Sequence, residues 1–532
     1  MAAPTAINAR HNHGLGQAAT SGFFWLFAQS VSARLLGFFS QLILAWLLTP
    51  SDFGTIGLAY TITGIAQTLV SFGVDEVLLQ RQKRLAQWSS AAFWISLCLG
   101  TLGMVAVWLA APVAAYIYKS HSLTWIIIIL SVAVPIRTLS IVPSVSIRLA
   151  MNFRFLATYN TFEIFAIQFG TIVFAWMGMG AYSFALPIPI VAVIKAAVFW
   201  SKSPPVYNRR IKAVQVWYVL GRSTTVFAKR AIVEIVNQGD YIVLGLIASK
   251  DTVGLYFFAF RFSVQPIRML AGNLTNVLLP ALAQLGSHPA RQIDAVVRAC
   301  RLLSYLVMPF CFLQAALAGP GLHLLFGQRW QGSIPLVQLL SIGLPFDAVF
   351  WIAGSLLSAR REFGRSFRIA LVSAPIFFAL VIGGAWLHGT LGVATAVVIY
   401  YMSYPPLCSI LILRSGGVKI GTILEFYLMP VLLAGGSIGA AYAVSLLPAL
   451  NDHNLIRVMV ISALGGSLYI GALYVFRRDM LMQLADRFQG PMNKMLTVMR
   501  RPPAPETGQI VVRPVPKQPA GRGTIAPTTE QG

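Results

Sequence analysis

Acidic side chains are scarce in this sequence: 16 Asp and Glu stand against 40 Lys and Arg in 532 residues, a formal net charge of +24. Charge of either sign is rare too, at 11% of residues, while 57% are hydrophobic and the mean hydropathy is +0.72. Soluble domains are roughly 45–50% apolar, so most of this chain must lie in lipid. A nucleic-acid reading of the positive charge would need a soluble basic face. Here the basic residues sit in short loops between long apolar runs. The four cysteines (Cys98, Cys300, Cys311 and Cys408) lie in or beside such runs, with neither a disulfide framework nor metal-ligand spacing. The seven histidines fall in loops, termini or near helix ends, which excludes a histidine relay. No GxxxxGK[ST] phosphate loop is present, so ATP hydrolysis by that route is excluded, and no motif implies a cofactor or a metal.

What is abundant is apolar sequence in blocks of spanning length. A span takes roughly 20 mostly apolar residues, and about fourteen blocks qualify. They fall near 22–47, 55–75, 89–117, 123–144, 158–178 and 181–200, then 223–248, 254–280, 299–325, 334–357, 368–387, 391–413, 423–448 and 455–476. The fold class is an all-α polytopic membrane protein. The polar first twenty or so residues lead into a span too long for a signal-peptide core, so no cleavable leader is expected. Pro187, Pro189, Pro280 and Pro345 interrupt apolar runs and predict kinks or helix ends.

The loops give an orientation. One side holds Arg81, Lys83, Arg84, Arg148, Arg154, Lys202, Arg209, Arg210, Lys212, Arg291, the group Arg360, Arg361, Arg365 and Arg368, then Arg414, Lys419 and the basic tail. The other side holds Lys119, Lys250, Arg329 and Arg457. The cation-rich side is therefore expected in the cytoplasm, with both termini. The loops on the far side are short. Trp330 and Arg329 of the FGQRWQG turn are expected at that interface, in an aromatic belt. Met480, Leu481, Leu484 and Phe488 beside Arg477, Arg478 and Arg487 suggest an amphipathic stretch on anionic lipid, followed by a disordered Pro- and Gly-rich tail. Gly435 and Gly439 mark an expected close-packing point between helices.

Residues 222–268 carry the chemistry. They read as two helices hinged at Ser249, Lys250 and Asp251, with Lys229, Arg230, Glu234, Asn237 and Asp240 on the first and Arg261, Gln265 and Arg268 on the second. A charge near the middle of a span costs about 2.5–3.5 kcal/mol even on lenient scales, so it faces a partner or a watery cavity. Arg230, Glu234, Asn237 and Tyr241 share one helix face, and so do Arg261, Gln265 and Arg268. Two polar faces on adjacent helices suggest the wall of a polar pathway. Segments 43–60 and 243–260 also align without gaps, pairing Leu44 with Leu244, Gly54 with Gly254 and Ala59 with Ala259. This spacing suggests two parallel repeats.

The stretches LAWLLTPSDFG, FGVDEVLLQRQKR and NQGDYIVLG…TVGLYFFAFRFSVQP, with the FGQRW turn and the ARREFGRSF loop, resemble the Wzx-type polysaccharide flippases of the MOP superfamily. The resemblance spans helices 1 to about 12. It implies two six-helix lobes, 22–200 and 223–413, around a central cavity. A cytoplasmic segment 1–21 would precede them, a linker 201–222 would join them, and two further helices would fill 414–476 before a tail at 477–532. It implies transport by alternating access in exopolysaccharide or lipopolysaccharide assembly at the bacterial inner membrane. The substrate would be an undecaprenyl-diphosphate-linked oligosaccharide passing from the inner to the outer leaflet. Polymerase and export proteins would be the protein partners. Two other readings compete: an exporter of small amphiphiles on the same fold, and a membrane polymerase, which would need larger outer loops. Under the flippase reading the chain is a transporter and not an enzyme.

Arg34, about 18 Å into the first helix at roughly 1.5 Å per residue, and Arg268 are the leading candidates to bind the diphosphate, because a guanidinium fork donates two parallel bonds to such an anion. Lys229, Arg230 and Arg261 are further substrate-binding candidates, although their long stems can snorkel. Arg137, Glu163 and Lys195 are read as shallow structural groups. Short carboxylates cannot snorkel, and burial without a cation favours their protonated form. Asp240, Glu234 and Asp347 are accordingly the ion-coupling candidates, against the alternative of static salt bridges to Arg230, Arg34 or Arg268.

Overall fold

The computed structural model describes residues 32, 36–71, 74, 78, 85–150, 152–204, 213–450 and 453–483. Residues 1–478 form one compact unit, described here, and residues 479–532 a second. Long apolar runs bury backbone polar groups where no water can reach them, so each run must satisfy its own amides and carbonyls as a helix. The first half holds α1 (Leu36–Leu47), α2 (Pro50–Ser71), α3 (Leu85–Ile117), α4 (His121–Thr138), α5 (Ile141–Leu149), α6 (Phe153–Trp176), α7 (Tyr182–Ala185) and α8 (Pro187–Lys202). The second half holds α9 (Ala213–Ile247), α10 (Lys250–Ser263), α11 (Gln265–Gln284), α12 (Pro289–Phe326), α13 (Ile334–Gly343), α14 (Pro345–Ala359), α15 (Phe363–Arg414), α16 (Ile420–Ser445) and α17 (Asn454–Phe476). The chain is an all-α polytopic membrane protein.

Among the described residues, eight helical stretches are long and apolar enough to cross a bilayer by length and composition. The expected pair 368–387 and 391–413 forms the two arms of α15, two helices joined by a reversal at His388 and Gly389, where Gly389 has φ 56°. Beside that break Gly384 and Gly392 press backbone to backbone, so a Cβ on either would meet the other's carbonyl. Of the prolines expected to interrupt helices, Pro187 and Pro345 stand at the first positions of α8 and α14, where a missing N–H leaves no bond unmade. Pro280 lies inside α11, which continues through it. Gly435 and Gly439 are not a close-packing point. A Cβ on Gly435 would rest 3.5 Å from the Phe312 ring, an ordinary contact, and Gly439 faces open space.

The hinge expected at residues 249–251 is the break between α9 and α10. Its geometry repeats that of the break between α1 and α2. Thr49 and Asp52 cap α2 reciprocally: the Thr49 amide donates to Asp52 Oδ2 at 3.0 Å, and the Asp52 amide donates to Thr49 Oγ1 at 3.3 Å. At the second turn the Thr252 amide donates to Ser249 Oγ, also at 3.3 Å. The two copies pack on each other. A Cβ on Gly54 would run into the Lys250 carbonyl, and one on Gly254 into the Pro50 carbonyl. The same turns gather with the neighbouring ones, because Asp52 abuts Gly180 and Tyr118 abuts Gly245.

The turn 327–333 completes this cation-poor end, and here the aromatic-belt expectation fails. Trp330 is fully buried. Gly327, with φ 60°, turns the chain back between α1 and α10. The indole then stacks near Phe258 (4.3 Å between centroids) and edge-on to Phe53 (5.1 Å), and its N–H donates to the Ala45 carbonyl at 3.0 Å. Arg329 donates to the Trp46 carbonyl at 3.0 Å, satisfying a helix-end acceptor of α1, while Trp46 Nε1 donates to the Leu325 carbonyl at 2.7 Å.

Candidate functional site

Below this closed end lies a cavity of about 920 Å³, walled by α2, α4, α8, α9, α10, α11, α14 and α15. Helix α9 supplies a polar face, Lys229, Glu234, Asn237, Gln238 and Tyr241, because residues three and four apart stack on one side. Across it α2 presents Tyr60, Thr63, Gly64 and Gln67. Gly64 leaves room for the neighbouring helix: a Cβ there would lie 3.1 Å from Glu234 Oε1. That carboxylate accepts from Gln238 Nε2 at 2.9 Å.

The cations lie at different depths. Tyr241 is about 18 Å further along α9 than Lys229, and Gln67 about 10 Å further along α2 than Tyr60, at 1.5 Å per residue. Arg137 donates to Gln67 Oε1 at 3.0 Å, which fixes it at the lower level. Arg261 lies at the upper level, its guanidinium 5.3 Å from the Tyr60 ring centroid and 4.7 Å from that of Phe257. The Phe257 ring in turn lies 5.7 Å from that of Tyr241. Arg268, two helical turns on from Arg261 across the α10–α11 break, lines the cavity and is exposed to it.

Of the residues expected at the site, Lys229, Glu234, Arg261, Arg268 and Asp347 line the cavity. Arg230 borders an adjoining hollow with Thr68, Lys229, Val233 and Glu234. Asp240 does not reach the cavity. It is 2% exposed and faces α10, its Oδ2 accepting from the Tyr256 hydroxyl at 2.7 Å and its Oδ1 from the Tyr241 amide at 2.9 Å. Arg34 lies outside the described residues, as does most of the amphipathic stretch and tail. Asp347 Oδ2 accepts from Trp351 Nε1 at 2.8 Å, one helical turn away.

Sequence reading took Arg137 for a shallow structural group, yet it lines the cavity, where the last turn of α4 meets Gln67. It also missed the tyrosines of α15, Tyr400, Tyr401 and Tyr404, on the opposite wall. Their signal was present as the run Tyr400–Tyr401 followed by Tyr404, which shares a helix face with Tyr400. Lys195 and Glu163, read as structural, form an ion pair at 2.6 Å between α8 and α6.

A family profile described as "Polysaccharide biosynthesis protein" matches residues 43–335, more than half of the sequence. The chain belongs to the polysaccharide biosynthesis protein family. Among curated members of similar sequence, the succinoglycan biosynthesis transport protein ExoT of Rhizobium meliloti is 22% identical over 308 residues, 58% of this chain and 62% of its own length. The lipopolysaccharide biosynthesis protein WzxC of Escherichia coli is 23% identical over 386 residues, 71% of this chain and 77% of WzxC. In fold, this family member superposes on the lipid II flippase MurJ in its inward closed conformation with a TM-score of 0.69 at 15% identity, covering 86% of this chain and 99% of MurJ. The Vibrio cholerae MATE transporter VcmN in its bent form gives 0.51 at 12% identity, covering 77% and 100%. The fold is thus the one these flippases and MATE transporters share.

Proposed function

We propose that this protein is a flippase that carries a polyprenyl-diphosphate-linked oligosaccharide from the inner to the outer leaflet of the bacterial inner membrane, in exopolysaccharide or lipopolysaccharide assembly. One observation carries the reading: a closed-ended cavity within a membrane bundle, lined by Arg137, Lys229, Arg261 and Arg268. A cation at such depth is costly in a bilayer and marks a site that faces a partner, water or a visiting anion. A diphosphate supplies that anion, and planar guanidinium forks suit it. The relatives ExoT and WzxC, named for polysaccharide transport and lipopolysaccharide biosynthesis, support the substrate class.

In this reading the cation-rich end faces the cytoplasm with both termini, and the end sealed by Gly54, Gly254 and Trp330 faces outward. Two lobes, 22–200 and 223–413, rock about that seal to give alternating access. Lys229, Arg268 and Arg137, together with Arg34, hold the diphosphate. Arg230 guides it from the adjoining hollow. Asp347 and Glu234, both on the cavity wall, are the ion-coupling groups, while Asp240 holds Tyr256 behind that wall. Polymerase and export proteins receive the product. No step makes or breaks a covalent bond.

The test is transbilayer movement in proteoliposomes of a lipid-linked oligosaccharide, with exposure at the far leaflet detected by an impermeant sugar-binding probe. Protein-dependent exposure with glycan length unchanged is the expected result. Lengthened glycan would establish a polymerase instead, and no exposure with or without an ion gradient would overturn the flippase.

A further inference from the structure

We propose that Arg301 and Arg477 form a binding site for the phosphate of an anionic phospholipid, at the cation-rich end of the bundle made by α12, α16 and α17. Neither residue lines the central cavity. The proposal needs only the membrane-spanning fold and is independent of what the protein transports.

The three helices pack on one another, and the Tyr469 hydroxyl of α17 donates to the Tyr305 carbonyl of α12 at 2.6 Å. Where their cation-rich ends converge, Glu425 of α16 is shared by two guanidiniums. Arg477, just past α17, donates to Glu425 Oε1. Arg301 of α12 reaches Oε2 only at 3.6 Å, an ion pair too long for a hydrogen bond. One carboxylate between two guanidiniums leaves one positive charge uncovered. Among the described residues the Arg301 side chain donates no hydrogen bond: its Nε has no acceptor, and its guanidinium lies over the buried Phe426 ring, 5.8 Å from the centroid. A guanidinium has five N–H donors, so this one is held in place with most of its bonding capacity unused. The side chain is 27% exposed and that of Arg477 23%, so a ligand can reach both. Arg478 adds a further cation over the Tyr474 ring, 5.3 Å from the centroid.

The level of the cluster is that of lipid headgroups. Counted from the opposite ends of their helices by helical rise, Arg301 lies about 38 Å from Phe326, Arg477 about 35 Å from Asn454 and Glu425 about 30 Å from Ser445. A hydrocarbon core is about 30 Å thick and a whole bilayer about 40–45 Å, so all three sit at or beyond the edge of the core. Basic pockets between spanning helices at this level suit phosphate headgroups, and a planar guanidinium fork matches the phosphate oxygens. From the cluster into the core α16 presents Leu424, Leu428 and Leu432, four residues apart and all exposed, as an apolar stripe on which an acyl chain can lie. That stripe favours a lipid over a soluble anion. The uncovered charge favours an anionic lipid over a zwitterionic one, which brings its own cation.

The test uses the full-length protein in neutral detergent, with short-chain phosphatidylglycerol, short-chain phosphatidylethanolamine or inorganic phosphate added and retained ligand read by native mass spectrometry. Wild type should hold phosphatidylglycerol on the order of tenfold more tightly than phosphatidylethanolamine, the range of a charge-assisted bond. Arg301→Gln, which leaves Glu425 paired with Arg477, should lose that preference. Glu425→Gln, which frees both guanidiniums, should raise it, a gain that a merely structural pair would not produce. Arg291→Gln removes an exposed charge of the same helix about 15 Å further from the core and should bind as wild type does. Equal retention of both lipids by wild type, a preference undiminished in Arg301→Gln, or an equal loss in Arg291→Gln overturns the site. So does a Glu425→Gln variant that binds no more tightly than wild type, whatever Arg301→Gln does. Inorganic phosphate held as tightly as phosphatidylglycerol would assign the cluster to a soluble anion and overturn the lipid.

Discussion

Gly54 and Gly254 cross backbone to backbone. A Cβ on Gly54 would lie 3.1 Å from the Gly254 nitrogen, and one on Gly254 only 2.8 Å from the Gly54 nitrogen. Each also meets the carbonyl four residues earlier in the other copy, at Lys250 or Pro50. Two helix starts spaced 200 residues apart in sequence thus touch through their main chains, which only glycine permits at this separation.

A methyl group at either position has nowhere to go, so α2 and α10 must part. Gly254→Ala is expected to cost about 1–3 kcal/mol of closure and to leave the seal ajar. The measurement is labelling of a Thr63→Cys reporter by an impermeant thiol reagent added from outside, in a Cys98→Ser background. Labelling should rise in Gly254→Ala and Gly54→Ala and stay at the control level in Gly439→Ala, whose Cβ faces open space. Unchanged labelling in all three would mean that the seal lies elsewhere.

Trp330 predicts a stability effect. Its indole is fully buried against Phe53 and Phe258, so Trp330→Ala should cost about 3–5 kcal/mol. Trp330→Phe keeps a ring and loses the bond to the Ala45 carbonyl, a loss of about 1 kcal/mol. Thermal unfolding in detergent should rank them wild type, Phe, Ala. An Ala variant as stable as wild type would refute the packing account.

Asp347 and Asp240 should part company. Asp347→Asn removes a carboxylate that lines the cavity and is expected to abolish stimulation by an ion gradient while gradient-free exchange persists. Asp240→Asn weakens a packed hydrogen-bond pair with Tyr256 and is expected to lower thermal stability. Both are read by running the transport assay with and without an imposed gradient, beside a melting curve. Retained stimulation in Asp347→Asn would remove it from the coupling step.

Lys195 and Glu163 give the contrasting case. Their pair at 2.6 Å joins α8 to α6 and touches no cavity wall. Glu163→Gln should lower stability by on the order of 1–3 kcal/mol and leave transport per folded molecule unchanged. A fall in specific transport at normal stability would assign the pair a functional role.

The sequence made the spans, the hinge at Ser249 and the polar face of α9 legible, because each is a property of local periodicity. Asp240, read as an ion-coupling candidate, turns instead to α10; the face drawn through Arg230, Glu234, Asn237 and Tyr241 omits it. Arg137 and Trp330 were not legible for the same physical reason. Depth counted along a helix gives height in the bilayer and says nothing of direction. Arg137 turns inward because α4 stops one residue later, and Trp330 because Gly327 reverses the chain. Both depend on where a neighbouring helix stands.

The break in α15 has a mechanical consequence. Gly384 pressed onto Gly392 across a reversal at His388 and Gly389 leaves the two arms no room to slide past one another. One arm bears on α9, where Phe377 and Phe378 rings lie against Gly239, and the other carries Tyr400 and Tyr401 into the cavity wall. The contact ties the two arms of the hairpin together. A displacement of α9 would therefore carry those tyrosines with it and change the shape of the cavity.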